Sequence, residues 1–74
     1  MAREPLDTWC YVIKKHGRIV HVGVTTDPAR REREHQRTFG DNVRMELIGT
    51  GPYTHSVAKA WEDEQRRLRY PTGP

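Results

Sequence analysis

A chain of 74 residues has room for one domain, and so small a core supplies only ~3–5 kcal/mol by itself. With 31% charged against 34% hydrophobic residues, part of its order is expected from dimerisation or from a bound partner, so monomer and homodimer both stay open. One cysteine, Cys10, excludes an internal disulfide and a single-chain thiolate metal cluster; no apolar run is long enough to cross a membrane and residues 1–7 lack a signal-peptide core, which points to a protein of the reducing cytoplasm.

The predicted elements begin at Trp9. Trp9, Tyr11 and Ile13 alternate with Cys10, Val12 and Lys14, and Val20, Val22 and Val24 alternate with His21 and Gly23. This is the period of two expected of paired strands. The link Lys15-His16-Gly17-Arg18 holds a glycine able to take positive φ, so a β-hairpin is the economical reading. Tyr11 and His21 then sit on neighbouring antiparallel strands.

Asp27 before Pro28 is an N-cap followed by proline at the first helical position, where a missing N–H costs nothing. A helix over residues 28–38 follows, with Arg31 and His35 four apart on one face. Apart from Ala29 it is nearly devoid of apolar residues before Phe39, while Arg30, Arg31, Arg33 and Arg37 make it strongly basic. Such a helix is either a solvated one steadied by pairs such as Arg30 with Glu34, or one that lies along a phosphate backbone.

Residues 39–42 form a turn, with Gly40 closing the helix. Val43, Met45 and Leu47 alternate with Arg44 and Glu46, giving a third strand with one buried face. Thr54 is the N-cap of a second helix, in which Val57, Ala60, Trp61 and Leu68 make an apolar stripe with Trp61 as a core anchor. Residues 70–74, rich in proline and glycine, cannot remain helical and act as a cap or a linker.

The net charge is +3 and the isoelectric point about 9.4, a balance that leans toward a polyanionic partner. Ten of the 13 basic residues are arginine, whose planar fork pairs with phosphate oxygens bidentately, although genome base bias produces the same composition.

The order of these elements and the residues on them resemble the GIY-YIG nuclease domain over roughly residues 9–71. The family's first tyrosine falls on Tyr11, its second motif on His21-Val22-Gly23, and its helix motif on residues 26–31, with Arg31 matching the family's arginine and His35 the later position. One departure stands out: His21 occupies the place of the family's second tyrosine. Imidazole both donates and accepts hydrogen bonds near neutrality, so a related role is open to it.

The resemblance implies an α+β fold, a three-stranded antiparallel sheet flanked by helices in the order β-β-α-β-α. It also implies a DNA endonuclease using Mg²⁺ or Mn²⁺, with RNA not excluded as substrate. Tyr11, His21, Arg31, His35 and Glu62 would be catalytic, and Arg30, Arg33 and Arg37 would bind nucleic acid. Tyr11 would orient or deprotonate the attacking water, aided by cations that lower its pKa, and Arg31 would clamp the phosphate. The metal would rest on one glutamate, which is Glu62 by its spacing from Ala58; Glu64 is the alternative, since it lies nearer the centre of the apolar stripe. Two further readings follow from the same residues: a degenerate nuclease that only binds nucleic acid, and a protein-binding adaptor built on the scaffold.

Overall fold

In the computed structural model, which describes residues 4–72, the chain forms β1 (Trp9–Lys15), β2 (Arg18–Thr25), α1 (Pro28–Phe39), β3 (Val43–Leu47) and α2 (His55–Arg67). Residues 1–3 of the expected lead-in and 73–74 of the expected tail lie outside that range. The three strands make one antiparallel sheet in the order β2-β1-β3. This is the α+β arrangement, in the order β-β-α-β-α, that the resemblance implies, with β1 at the centre.

The hairpin between β1 and β2 turns on His16 and Gly17, both at positive φ, 52° and 78°. Two such residues give the backbone twist that matches paired strands. The register then slips: Lys15 pairs with Arg18 and Lys14 with Ile19, but Ile13 pairs with His21. Val20 is therefore an extra residue, a β-bulge. Without it His21 would lie across from Val12, on the other side of the sheet from Tyr11. The bulge brings His21 to the Tyr11 face.

Alternation sends Tyr11, Ile13, Val43 and Met45 to one face of the sheet. There Tyr11, Ile13 and Val43 are fully buried, with Val20, Met45 and the α1 residue Phe39 packed on them. Helix α1 reaches this face by the caps its sequence encodes. Asp27 accepts from the Arg30 N–H, Pro28 opens the helix, and the Gly40 N–H closes on Gln36. At its C-terminus the Lys15 ammonium donates to the Phe39 carbonyl at 3.1 Å, where a cation is favoured by the helix dipole.

Helix α2 covers the opposite face, where Cys10 lines an apolar hollow with Ile48, Tyr53, Val57 and Trp61. Thr54 caps α2 by accepting from the Val57 N–H. Two expectations are corrected here. The apolar stripe is not the buried side of α2: Val57 and Leu68 are about half exposed, whereas Ala58 and Glu62 are buried. Val57 and Trp61 of the stripe line only the apolar hollow, while Ala58 and Glu62 are the α2 residues that are covered. On β3 the buried face stops short, since Leu47 is 41% exposed.

The chain after α2 returns to the sheet. The Val22 N–H donates to the Pro71 carbonyl at 2.7 Å, and Arg66 Nε donates to Thr72 at 3.1 Å. The tail thus covers part of the open edge of β2 and removes an unpaired donor there.

Candidate active site

The site begins with a close approach that glycine permits. Tyr11 sits across from Gly23, and its ring lies so tightly over that residue that a Cβ there would meet Tyr11 Oη at 2.5 Å and Cζ at 2.7 Å. The hydroxyl passes over β2 to His35, with Oη 2.8 Å from Nε2. Both residues are buried. The bond links the central strand to α1.

Around this bond the rings are in contact. The His21 and His35 rings are 4.5 Å apart, centre to centre, and Phe39 stacks on His35 at 5.7 Å. Arg31, one turn before His35, stands at the rim of a hollow of about 240 Å³ lined also by His21, Glu34, Thr38 and Phe39. That is room for roughly eight waters. The structure therefore brings together Tyr11, His21, Arg31 and His35.

Electrostatics set the resting protonation of the pair. Burial pushes the Tyr11 phenol up to about 12; Arg31 opposes this, while Glu62 and Glu34 reinforce it. The expected lowering of Tyr11 by Arg31 is present in sign but is outweighed by desolvation. Burial, helped by His21 and Arg31, holds the His35 imidazole below its ordinary value. At neutral pH the pair is a protonated phenol beside an uncharged imidazole.

Arg31 is incompletely bonded. Its Nε is shut off from solvent without a hydrogen bond, and Glu34 Oε1 stands 3.6 Å away, beyond hydrogen-bonding reach. Glu34 is thus the ion-pair partner of Arg31, in place of the expected Arg30 with Glu34. Residues i and i+3 on α1 face the hollow together. Arg30, Arg33 and Arg37 are exposed and border a separate shallow recess with Glu34.

Glu62 does not line the hollow. It is buried on the sheet side of α2 and held by Lys59 Nζ at 2.7 Å. Its charge still acts on Tyr11 and on the Cys10 thiol, which burial raises. Glu64 faces away, exposed and paired with Arg67. Of the two acids, only Glu62 points inward.

Among the described residues no three His, Cys, Asp or Glu side chains group as a metal cage. A single buried carboxylate completed by water and phosphate is a different donor set, and it suits Mg²⁺, which keeps most of its waters. Among the described residues Glu62 is the one buried carboxylate of that kind, but it lies outside the hollow and its Oε1 is engaged by Lys59. Glu34, Lys59 and Gly23 are not among the site residues that the motifs pick out. Gly23 was readable as the glycine after His21-Val22; the other two carried no signal beyond helix spacing.

Fold and cluster together define a small α+β protein with a buried tyrosine–histidine bond beside an open hollow that Arg31 lines. The chain is 31% identical over 70 residues to the UPF0213 protein of Aeromonas hydrophila subsp. hydrophila, an alignment covering 93% of this chain and 49% of that protein. The two are distant relatives, and the chain spans about half the length of the curated relative it matches. No family model and no solved structure matches it. Among the described residues no helix is long and apolar enough to cross a membrane.

Proposed function

We propose that this chain is a metal-dependent endonuclease of the GIY-YIG type that hydrolyses phosphodiester bonds in DNA. The observation that carries the reading is the 2.8 Å contact between Tyr11 Oη and His35 Nε2, with Arg31 and His21 beside it. Hydrolysis needs a base for water, charge relief on the phosphoryl oxygens and a path for the proton. Tyr11 takes a proton from the attacking water while passing its own to neutral His35, so no free phenolate forms. As the new P–O bond forms and the bond to the leaving oxygen breaks, the His35 proton returns through His21 or water to that oxygen. Arg31 binds the phosphate and supplies the donor it now leaves unmade. His21, packed on His35, holds that ring and hydrogen-bonds near the leaving oxygen. Arg30, Arg33 and Arg37 hold the flanking backbone. Glu62 would hold Mg²⁺ or Mn²⁺, which supplies Lewis-acid charge relief when bound.

A second reading, a binding module without catalysis, is favoured by one observation: Glu62 lies outside the hollow and is engaged by Lys59. One experiment separates the two. Purified protein is incubated with supercoiled plasmid and with labelled branched and single-stranded DNA in Mg²⁺, Mn²⁺ or EDTA, beside Arg31→Ala. Nicking that needs metal and disappears in the variant supports the enzyme. Salt-sensitive binding with no product under any metal supports the module.

A further inference from the structure

We propose that Glu34 is a selectivity carboxylate: it stands in for phosphate beside Arg31 and makes the hollow prefer a singly charged phosphodiester to a doubly charged phosphomonoester. This rests on the reading of the hollow as a phosphate site. Glu34 lines three adjoining recesses, the one with His21 and His35, the one with Thr25 and Arg30, and the one with Arg33 and Arg37. An anion entering any of them meets its carboxylate.

A surface ion pair accounts for Glu34 lying near Arg31, but not for the state of the arginine. A buried N–H without a hydrogen bond is costly and calls for an acceptor. Glu34 Oε1, at 3.6 Å from Arg31 Nε, neutralises the guanidinium without satisfying that donor. An incoming phosphate oxygen does both. The carboxylate is 44% exposed, so it can swing aside into water, yet α1 keeps it at the rim.

There its repulsion scales with ligand charge. A phosphodiester carries one negative charge, whereas a terminal phosphate carries close to two at neutral pH, so Glu34 repels the second about twice as strongly. Without Glu34, the more highly charged ligand would bind an arginine site better. With it, internal bonds of a chain are favoured over chain ends and free phosphate, which keeps products from blocking the site. Arg31 provides attraction and Glu34 the discrimination.

The test is equilibrium binding followed by nuclear magnetic resonance shifts, using dithymidine monophosphate, whose phosphate is an internal diester, and thymidine 5′-monophosphate at pH 7.5. The wild type is expected to bind the diester at least as tightly as the monoester. Glu34→Gln should tighten the monoester roughly tenfold and the diester several times less, and Glu34→Asp should restore the wild-type preference. A purely structural Glu34 would not move this ratio. Equal changes for both ligands, no change, or failure of both ligands to engage any of the three proteins overturns the proposal. Loss of plasmid nicking with these binding preferences intact would sink the nuclease reading alone; intact nicking with equal ligand responses would sink only the role of Glu34.

Discussion

Tyr11 and His35 are joined by a 2.8 Å hydrogen bond across 24 residues of sequence, over the glycine that makes space for the tyrosine ring. Tyr11→Phe keeps the ring and deletes the hydroxyl. It leaves a buried imidazole nitrogen without its partner, which costs about 1–3 kcal/mol. Urea denaturation is expected to show that loss, and plasmid nicking is expected to cease. An unchanged midpoint would mean that water reaches His35 and that the bond is dispensable to the fold.

Gly23→Ala should be as harmful as deleting the hydroxyl, although no polar group is removed. The new Cβ would fall 2.7 Å from Tyr11 Cζ, so the ring has to move and its contact with His35 has to break. Overpacking of this kind costs roughly 1–3 kcal/mol. A cycle with Tyr11→Phe measures the coupling, because the ring carbon clash remains when the oxygen is gone.

Stability should fall at both ends of the pH range. Tyr11 has a higher pKa folded, about 12, than its ordinary 10.0, so its contribution is complete below pH 10 and disappears as pH rises toward 12. His35 lies below its ordinary 6.5; its contribution is complete above that value and is lost as pH falls through the depressed folded pKa. Urea midpoints measured against pH should show an alkaline arm that Tyr11→Phe removes and an acid arm that His35→Gln removes.

The two helix acids should behave differently. Glu64 is exposed and paired with Arg67, and Glu64→Gln should leave both the urea midpoint and nicking essentially unchanged. Glu62→Gln should abolish nicking while DNA binding persists. If Glu64→Gln is the inactive variant, the metal role assigned by burial is wrong.

Arg30, Arg33 and Arg37 are expected to act through charge alone. Replacing any of them with alanine should reduce the steepness of the salt dependence of DNA binding by about 0.7–0.9 for each phosphate left unneutralised, uniformly across sequences. A change confined to one DNA sequence would point to base contact instead.

Much of the fold is legible along the chain, because its signals are local. Alternation marks the strands, Asp27-Pro28 and Thr54 mark the helix starts, and Gly17 marks the hairpin, since each depends on a few neighbouring residues. The face of α2 is not legible in this way. Apolar spacing points to Val57, Ala60, Trp61 and Leu68, yet what is buried depends on the shape of the sheet beneath, and there Ala58 and Glu62 fit.

Local sequence settles the order of elements, the caps, and the placing of Arg31 and His35 one helical turn apart. That His21 joins them is a tertiary outcome. An uninterrupted two-residue hairpin would turn that histidine to the α2 side; the extra Val20 shifts the register by one and reverses its face. Register is a property of two strands and of what packs on them, and neither strand carries it alone.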